Sequence, residues 1–91
     1  MYERAIAYPV PFRLIRQPPV YSLYNAGRER LSGVTFTLHG TALMAANDPS
    51  ILEPGEQLDV TIVSRTTVAD AILVVRWFRP DGVEYLWRVG I

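Results

Sequence analysis

The chain has 91 residues, with nine basic and nine acidic side chains, one histidine and no cysteine. This length suits one small domain, and without cysteine the chain can form neither disulfide bonds nor zinc–thiolate sites. A formal net charge of zero offers no basic field to nucleic acid or to an anionic membrane, so we expect neither as a partner.

Prolines mark the beginning of the chain, where four of the seven lie within residues 9–19. Proline cannot donate a hydrogen bond to a strand ladder and is confined to edge strands, strand starts and bulges. We therefore predict an arm and edge strand in residues 1–19, with the strand at Phe12–Gln17, and a single β-sandwich domain over residues 12–91. Because charged residues and prolines interrupt Met1–Ile15, no secretory signal is predicted, and we expect a cytoplasmic protein.

Alternating apolar and polar residues predict strands along the rest of the chain. The segments with this pattern, or with a continuous apolar run, are Val20–Tyr24, Gly33–His39, Leu58–Ile62, Ala71–Arg79 and Val83–Val89. Thr41–Ala46 is too short for a stable helix and is predicted as a short strand or connector. Pro54-Gly55 is typical of a type II turn. Strand signals at this spacing, with no convincing helix, predict an all-β sandwich of about seven strands.

The last hairpin can be placed in register from its turn. Arg79-Pro80-Asp81-Gly82-Val83 is typical of a three-residue loop in which a left-handed glycine follows a type I turn. Arg79 then faces Val83, and the pairs on one side of the hairpin are Trp77–Tyr85, Val75–Trp87 and Leu73–Val89. The pairs on the other side are Phe78–Glu84, Arg76–Leu86 and Val74–Arg88. A one-residue slip would mix the two sets, so burial of the apolar side fixes this register and places both tryptophans in the core.

Three segments carry a family resemblance. They are the strand from Tyr21 that ends in Asn25 and Gly27, the turn Leu52-Glu53-Pro54-Gly55-Glu56, and the terminal hairpin. Together they resemble bacterial immunoglobulin-like modules of the CARDB and fibronectin type III-like kind, over residues 20–91. The resemblance implies an immunoglobulin-like antiparallel β-sandwich, and adhesion or interaction rather than catalysis. The Cys–Trp–Cys core of antibody domains is missing, so the resemblance does not extend to that stricter family.

Residues that could support catalysis or metal binding are sparse. The single histidine, His39, lies on the polar face of its strand, and no serine has the context of an activated nucleophile, so no enzyme is predicted. Oxygen ligands for Ca²⁺ could come from Asn47, Asp48, Glu53 and Glu56. Turn formation explains these four residues equally well. The glycines form no phosphate-binding motif, and no cofactor is predicted.

The hairpin face opposite the core is the feature that bears on function. Its six residues are the candidate interface: Val74, Arg76, Phe78, Glu84, Leu86 and Arg88. Apolar side chains mixed with arginine are typical of protein interfaces. We therefore predict a non-catalytic protein-interaction module that uses this face to bind a protein partner or to self-associate.

Three alternatives stay open for these aromatic and apolar residues. The segment Met1–Val10, with Tyr2, Ile6 and Tyr8, could fold back over the face. The apolar side chains could also be singly exposed, which is normal on protein surfaces. Finally, the ten aromatic residues could serve a carbohydrate or small-molecule site, a role that core positions for Trp77 and Trp87 would disfavour.

Overall fold

The computed structural model describes residues 8–40, 43–44, 48–63 and 71–90. Within these ranges the chain forms eight β-strands and no helix, and so no helix there could cross a membrane. In chain order the strands are β1 (Phe12–Gln17), β2 (Val20–Asn25), β3 (Leu31–His39), β4 (Leu43–Met44), β5 (Ser50–Leu52), β6 (Gln57–Val63), β7 (Ile72–Phe78) and β8 (Glu84–Gly90). One of these eight strands, β4, has only two residues. The other seven confirm the prediction of an all-β fold of about seven strands.

The strands pair antiparallel in two four-stranded sheets, ordered β1-β2-β6-β4 and β5-β3-β7-β8. This is the order of an immunoglobulin constant-type sandwich, A-B-E-D against C-F-G, with β5 as an additional strand beside β3. The inner faces of the sheets pack together, and the Phe12 ring of β1 meets the Trp77 ring of β7 edge-on at 4.9 Å between centroids. The fold is therefore an immunoglobulin-like β-sandwich.

The strand and turn predictions coincide with observed elements. The predicted edge strand Phe12–Gln17 is β1, which among the described strands pairs only with β2, at one edge of its sheet. In the predicted type II turn, Gly55 has φ of +84° and the Glu56 N–H donates to the Glu53 carbonyl at 3.0 Å. Within Thr41–Ala46 only β4 is described, and the other residues of that segment lie outside the described ranges.

The core lies between the two sheets and follows the alternation of the sequence. Val34 and Phe36 of β3 are buried and Leu38 is half-buried, as their common face predicts. The other buried members of this core cluster are Phe12, Leu23, Leu31, Leu52, Leu73, Val75 and Trp77. Burying an apolar side chain of this size contributes about 1.5–3 kcal/mol, so a register slip that exposed several of them would be strongly unfavourable.

A buried asparagine connects the two sheets at one end. The side-chain amide of Asn25, the last residue of β2, donates to the carbonyls of Glu29 at 2.9 Å and Leu52 at 3.0 Å. Its Oδ1 accepts the Gly27 N–H at 3.0 Å, and its backbone carbonyl accepts the Gly55 N–H at 2.9 Å. The polar groups of a fully buried side chain are thus satisfied by the loops on either side.

Candidate protein-interaction surface

The terminal hairpin has the turn and the register predicted from its sequence. The Arg79 carbonyl accepts the Gly82 N–H at 2.8 Å, and the Arg79 N–H donates to the Val83 carbonyl at 3.1 Å. Gly82 has φ of +83°, the left-handed conformation that the bulge after a type I turn requires. All six cross-strand pairs given above are observed, from Leu73–Val89 to Phe78–Glu84.

The inner side of this hairpin is aromatic and belongs to the core. Trp77 is only 1% exposed, and its indole N–H donates to the Tyr8 hydroxyl at 3.4 Å. Tyr85 and Trp87 of β8 pack against the same cluster but are half-buried, because β8 is the edge strand of its sheet. The core position of Trp77 is therefore confirmed, and Trp87 takes a partly covered place beside it.

The outer side of the hairpin forms one continuous face. We name its members the outer patch: Ile72, Val74, Arg76, Phe78, Glu84, Leu86 and Arg88. The pairs Arg76–Leu86 and Val74–Arg88 bring the six predicted residues together. Leu86 is 49% exposed, and Arg76, Glu84 and Arg88 are also exposed. Exposed apolar surface therefore lies directly beside two guanidinium groups.

Two of the six predicted residues are less exposed than the alternation indicates. Val74 is only 6% exposed because it lies in a central strand between Thr37 of β3 and Arg88 of β8. The prediction of Val74 as exposed apolar surface is thus wrong. Phe78 is half-buried because its ring lies against Gly33, where β3 is irregular. Leu86 is consequently the main apolar contact residue of β8.

The structure adds one apolar residue and a strand to this face. Ile72, 44% exposed, lies opposite His39 of β3. Thr37 is the neighbour of His39 on the same face of β3. His39, Ile72, Val74 and Arg88 line a shallow pocket of about 140 Å³, which contains no carboxylate or serine. The apolar run of β7 already includes Ile72, and extending the hairpin count by one pair would have placed it in the patch.

A single arginine, Arg79, contacts Glu29, Tyr8 and Tyr85 at one end of the sandwich. The Arg79 guanidinium donates to both Glu29 carboxylate oxygens, at 3.0 and 3.1 Å, and these hydrogen bonds raise the pKa of Arg79. The same guanidinium stacks over the Tyr8 ring at 4.0 Å and lies 5.7 Å from the ring centroid of Tyr85. These contacts hold the segment before β1 against the hairpin, so the role of Arg79 is structural.

The segment before β1 does not cover the outer patch in the part that is described. The Tyr8 ring contacts Tyr85 at 4.7 Å between centroids, on the inner side of the hairpin. Burial of the Tyr8 phenol raises its pKa. The alternative in which Tyr8 covers the outer face is therefore wrong, while Tyr2 and Ile6 lie outside the described residues.

The alternative sites have little support among the described residues. No group of three His, Asp or Glu side chains there could hold a metal ion. Of the calcium candidates, Glu56 accepts the Glu53 N–H at 2.7 Å and Glu53 pairs with Arg30 at 2.9 Å, while Asn47 lies outside the described ranges. Two pockets near the Arg79 end have volumes of about 240 and 360 Å³, and Tyr8 is the one aromatic residue lining them.

Comparison of the chain with protein-family models, with curated proteins and with solved structures finds no match in any of the three. The resemblance to CARDB and fibronectin type III-like modules stays a prediction. Function is therefore inferred from the geometry of the sandwich and its outer patch alone.

Proposed function

We propose that this protein is a non-catalytic protein-interaction module whose contact surface is the outer patch. The observation that carries the proposal is the exposure of Leu86 and Ile72 on one sheet face beside Arg76 and Arg88. Interfaces are enriched in arginine and in apolar side chains that are rimmed by polar groups. A partner surface that offers apolar side chains and carboxylates would complement this face.

The remainder of the same face suits such a contact. Thr37 and His39 of β3 are exposed and extend the patch beyond β7 with polar side chains. Val74 is buried at the centre of the outer patch and offers a partner little surface for direct contact. Two arginines against the single carboxylate of Glu84 favour a partner with negative charge.

The burial of the aromatic residues favours this proposal over a carbohydrate or small-molecule site. A sugar-stacking platform needs exposed ring faces, whereas Trp77 is in the core and Tyr85 packs against Trp77 and Tyr8. A ligand-binding module is therefore the less favoured alternative.

A photo-crosslinking amino acid at Thr37 tests the proposal in cells that produce the protein. Thr37 is exposed on β3 and lies opposite Val74, whereas Thr61 of β6 is exposed on the other sheet and serves as the control position. We expect an adduct of defined mass at position 37, containing one protein identified by mass spectrometry, and no equivalent adduct at position 61.

A matched pair of substitutions makes this test specific to the patch. Ile72→Glu places a charge on the outer patch, and Val63→Glu places one on an apolar residue of similar exposure, 57%, on the other sheet. The position-37 adduct should disappear in the first variant and persist in the second. An adduct that forms equally at both positions, or that survives Ile72→Glu, would show that the patch is not the contact surface.

A further inference from the structure

One edge of β8 lies open to pairing with another strand, among the residues that the structure describes. Within the described ranges, β8 pairs with β7 on one side and is the last strand of its sheet. Natural edge strands are protected by proline, by bulges, by charged side chains, by a covering segment or by being short, and of these β8 has only the charges of Glu84 and Arg88 in the described part of the chain. Among the described strands, β1 lies between Pro11 and Pro18, and β4 and β5 have two and three residues. β8 has seven residues with no proline and an uninterrupted register.

The hairpin geometry determines which backbone groups of β8 face the open side. The hydrogen bond from Arg79 to Val83 makes this a hydrogen-bonded pair, and such pairs alternate along an antiparallel ladder. The N–H and C=O groups of Tyr85, Trp87 and Val89 are therefore directed to β7. Those of the intervening residues are directed outward, namely Glu84, Leu86, Arg88 and Gly90. Consistent with this, the Gly90 carbonyl accepts a hydrogen bond from Arg16 of β1 at 2.8 Å.

The outward residues of β8 are self-complementary about Leu86. Two antiparallel copies of β8 related by a two-fold axis at Leu86 place the two Leu86 residues opposite each other. Glu84 of each copy then faces Arg88 of the other. Both members of every pair lie on the outer face, because directly opposite residues in a sheet share a face. The outward backbone groups of all three residues coincide with the hydrogen-bonded positions of this register.

We propose that β8 pairs with β8 of a second copy of this chain, antiparallel and centred on Leu86, so that the two sheets become one. This inference rests on the proposed function, since it names a partner for the β8 side of the outer patch. On the inner side the same register sets Tyr85 opposite Trp87 of the second copy. Both side chains are half-buried in the single chain, so pairing would cover aromatic surface that the edge leaves accessible.

Charge exchange at positions 84 and 88 tests the pairing. In Glu84→Arg every Arg88 faces an arginine, and in Arg88→Glu every Glu84 faces a glutamate. Light scattering coupled to size-exclusion chromatography should show a wild-type dimer and, for either single variant, a dissociation constant raised by about tenfold or more. An equimolar mixture of the two variants should dimerise again, as should the double variant Glu84→Arg/Arg88→Glu, because both restore the opposite charges.

The mixture also controls for folding, since a misfolded variant could not recover in it. A wild-type chain that is monomeric at every accessible concentration would overturn the pairing, and so would a dimer that is indifferent to these charges. The Leu86 and Arg88 amides should become protected from hydrogen exchange as concentration rises. Protection in a monomer would show that another segment covers the edge and would equally overturn the inference.

These outcomes separate the pairing from the proposed function. Position 37 lies on β3, two strands away from the open edge, so its adduct does not report on β8 pairing. A monomer that still gives the adduct sensitive to Ile72→Glu would overturn the pairing alone. A charge-dependent dimer without that adduct would overturn docking of another protein at the patch and leave the pairing intact.

Discussion

Phe78 of β7 lies against Gly33 of β3, and the two residues fit only because Gly33 has no side chain. A Cβ on Gly33 would lie 2.7 Å from Cδ2 of Phe78, and Gly33 also has φ of +56°. The β3–β7 register shifts in this region, between the pairs Ser32–Phe78 and Thr35–Arg76. The glycine thus holds the one aromatic ring of the outer patch close to the sheet.

Gly33→Ala should lower the free energy of unfolding by about 2–4 kcal/mol, through left-handed backbone strain together with the clash against Phe78. Gly82→Ala is the matched control, because Gly82 has φ of +83° with nothing near its missing Cβ. That variant should lose only about 1–2 kcal/mol. Urea unfolding measures both losses, and equal losses would contradict a steric role for Phe78. In a Phe78→Ala background, Gly33→Ala should cost only the backbone-strain part of its loss.

Asn25→Ala should destabilise the fold more than any exposed polar substitution. The variant leaves the carbonyls of Glu29 and Leu52 and the Gly27 N–H without their partner, at a cost of about 2–4 kcal/mol. Gln57→Ala is the control, since the exposed Gln57 amide donates to Asp59 at 3.1 Å and should cost no more than about 0.5 kcal/mol. Similar midpoints in thermal unfolding for the two variants would refute the proposed role of Asn25.

The register of the last hairpin could be predicted because its turn sequence fixes the count from Arg79 outward. Exposure was harder to predict. Val74 is buried by Thr37 and Arg88, and Trp87 is half-covered because β8 is an edge strand. Both facts depend on the order of strands in the sheet, which alternation within one strand does not reveal.

Contacts between segments that are far apart in the sequence could not be predicted from the sequence pattern. Arg79 and Glu29 are 50 residues apart and meet at the end of the sandwich. Each is an ordinary charged residue in its own segment, so no local signal marks the pair. The same holds for Asn25. Its sequence context is that of a turn residue, and nothing local indicates that its side chain donates to the carbonyl of Leu52.

Tyr8 should make stability fall at alkaline pH. Burial raises the pKa of its phenol above the ordinary value of 10.0, so the unfolded chain loses this proton at a lower pH than the folded chain. The stabilisation is full below pH 10.0 and is lost as the pH rises toward the folded-state pKa. Tyr8→Phe should reduce this alkaline loss in urea unfolding, and Tyr24→Phe, in β2, is the control substitution of a second tyrosine. An equal alkaline loss in wild type and Tyr8→Phe would assign it to another group.

The two tryptophans should differ in fluorescence, because one lies in the core and the other at the sheet edge. Trp87→Phe leaves Trp77, which is 1% exposed, and its emission should be blue-shifted and scarcely quenched by acrylamide. The difference between wild type and this variant reports Trp87, which should be quenched several-fold more readily at low concentration. If β8 pairs as proposed, quenching of Trp87 should decrease with rising protein concentration while that of Trp77 stays constant. Ready quenching in Trp87→Phe would place Trp77 outside the core and reopen the ligand-binding alternative.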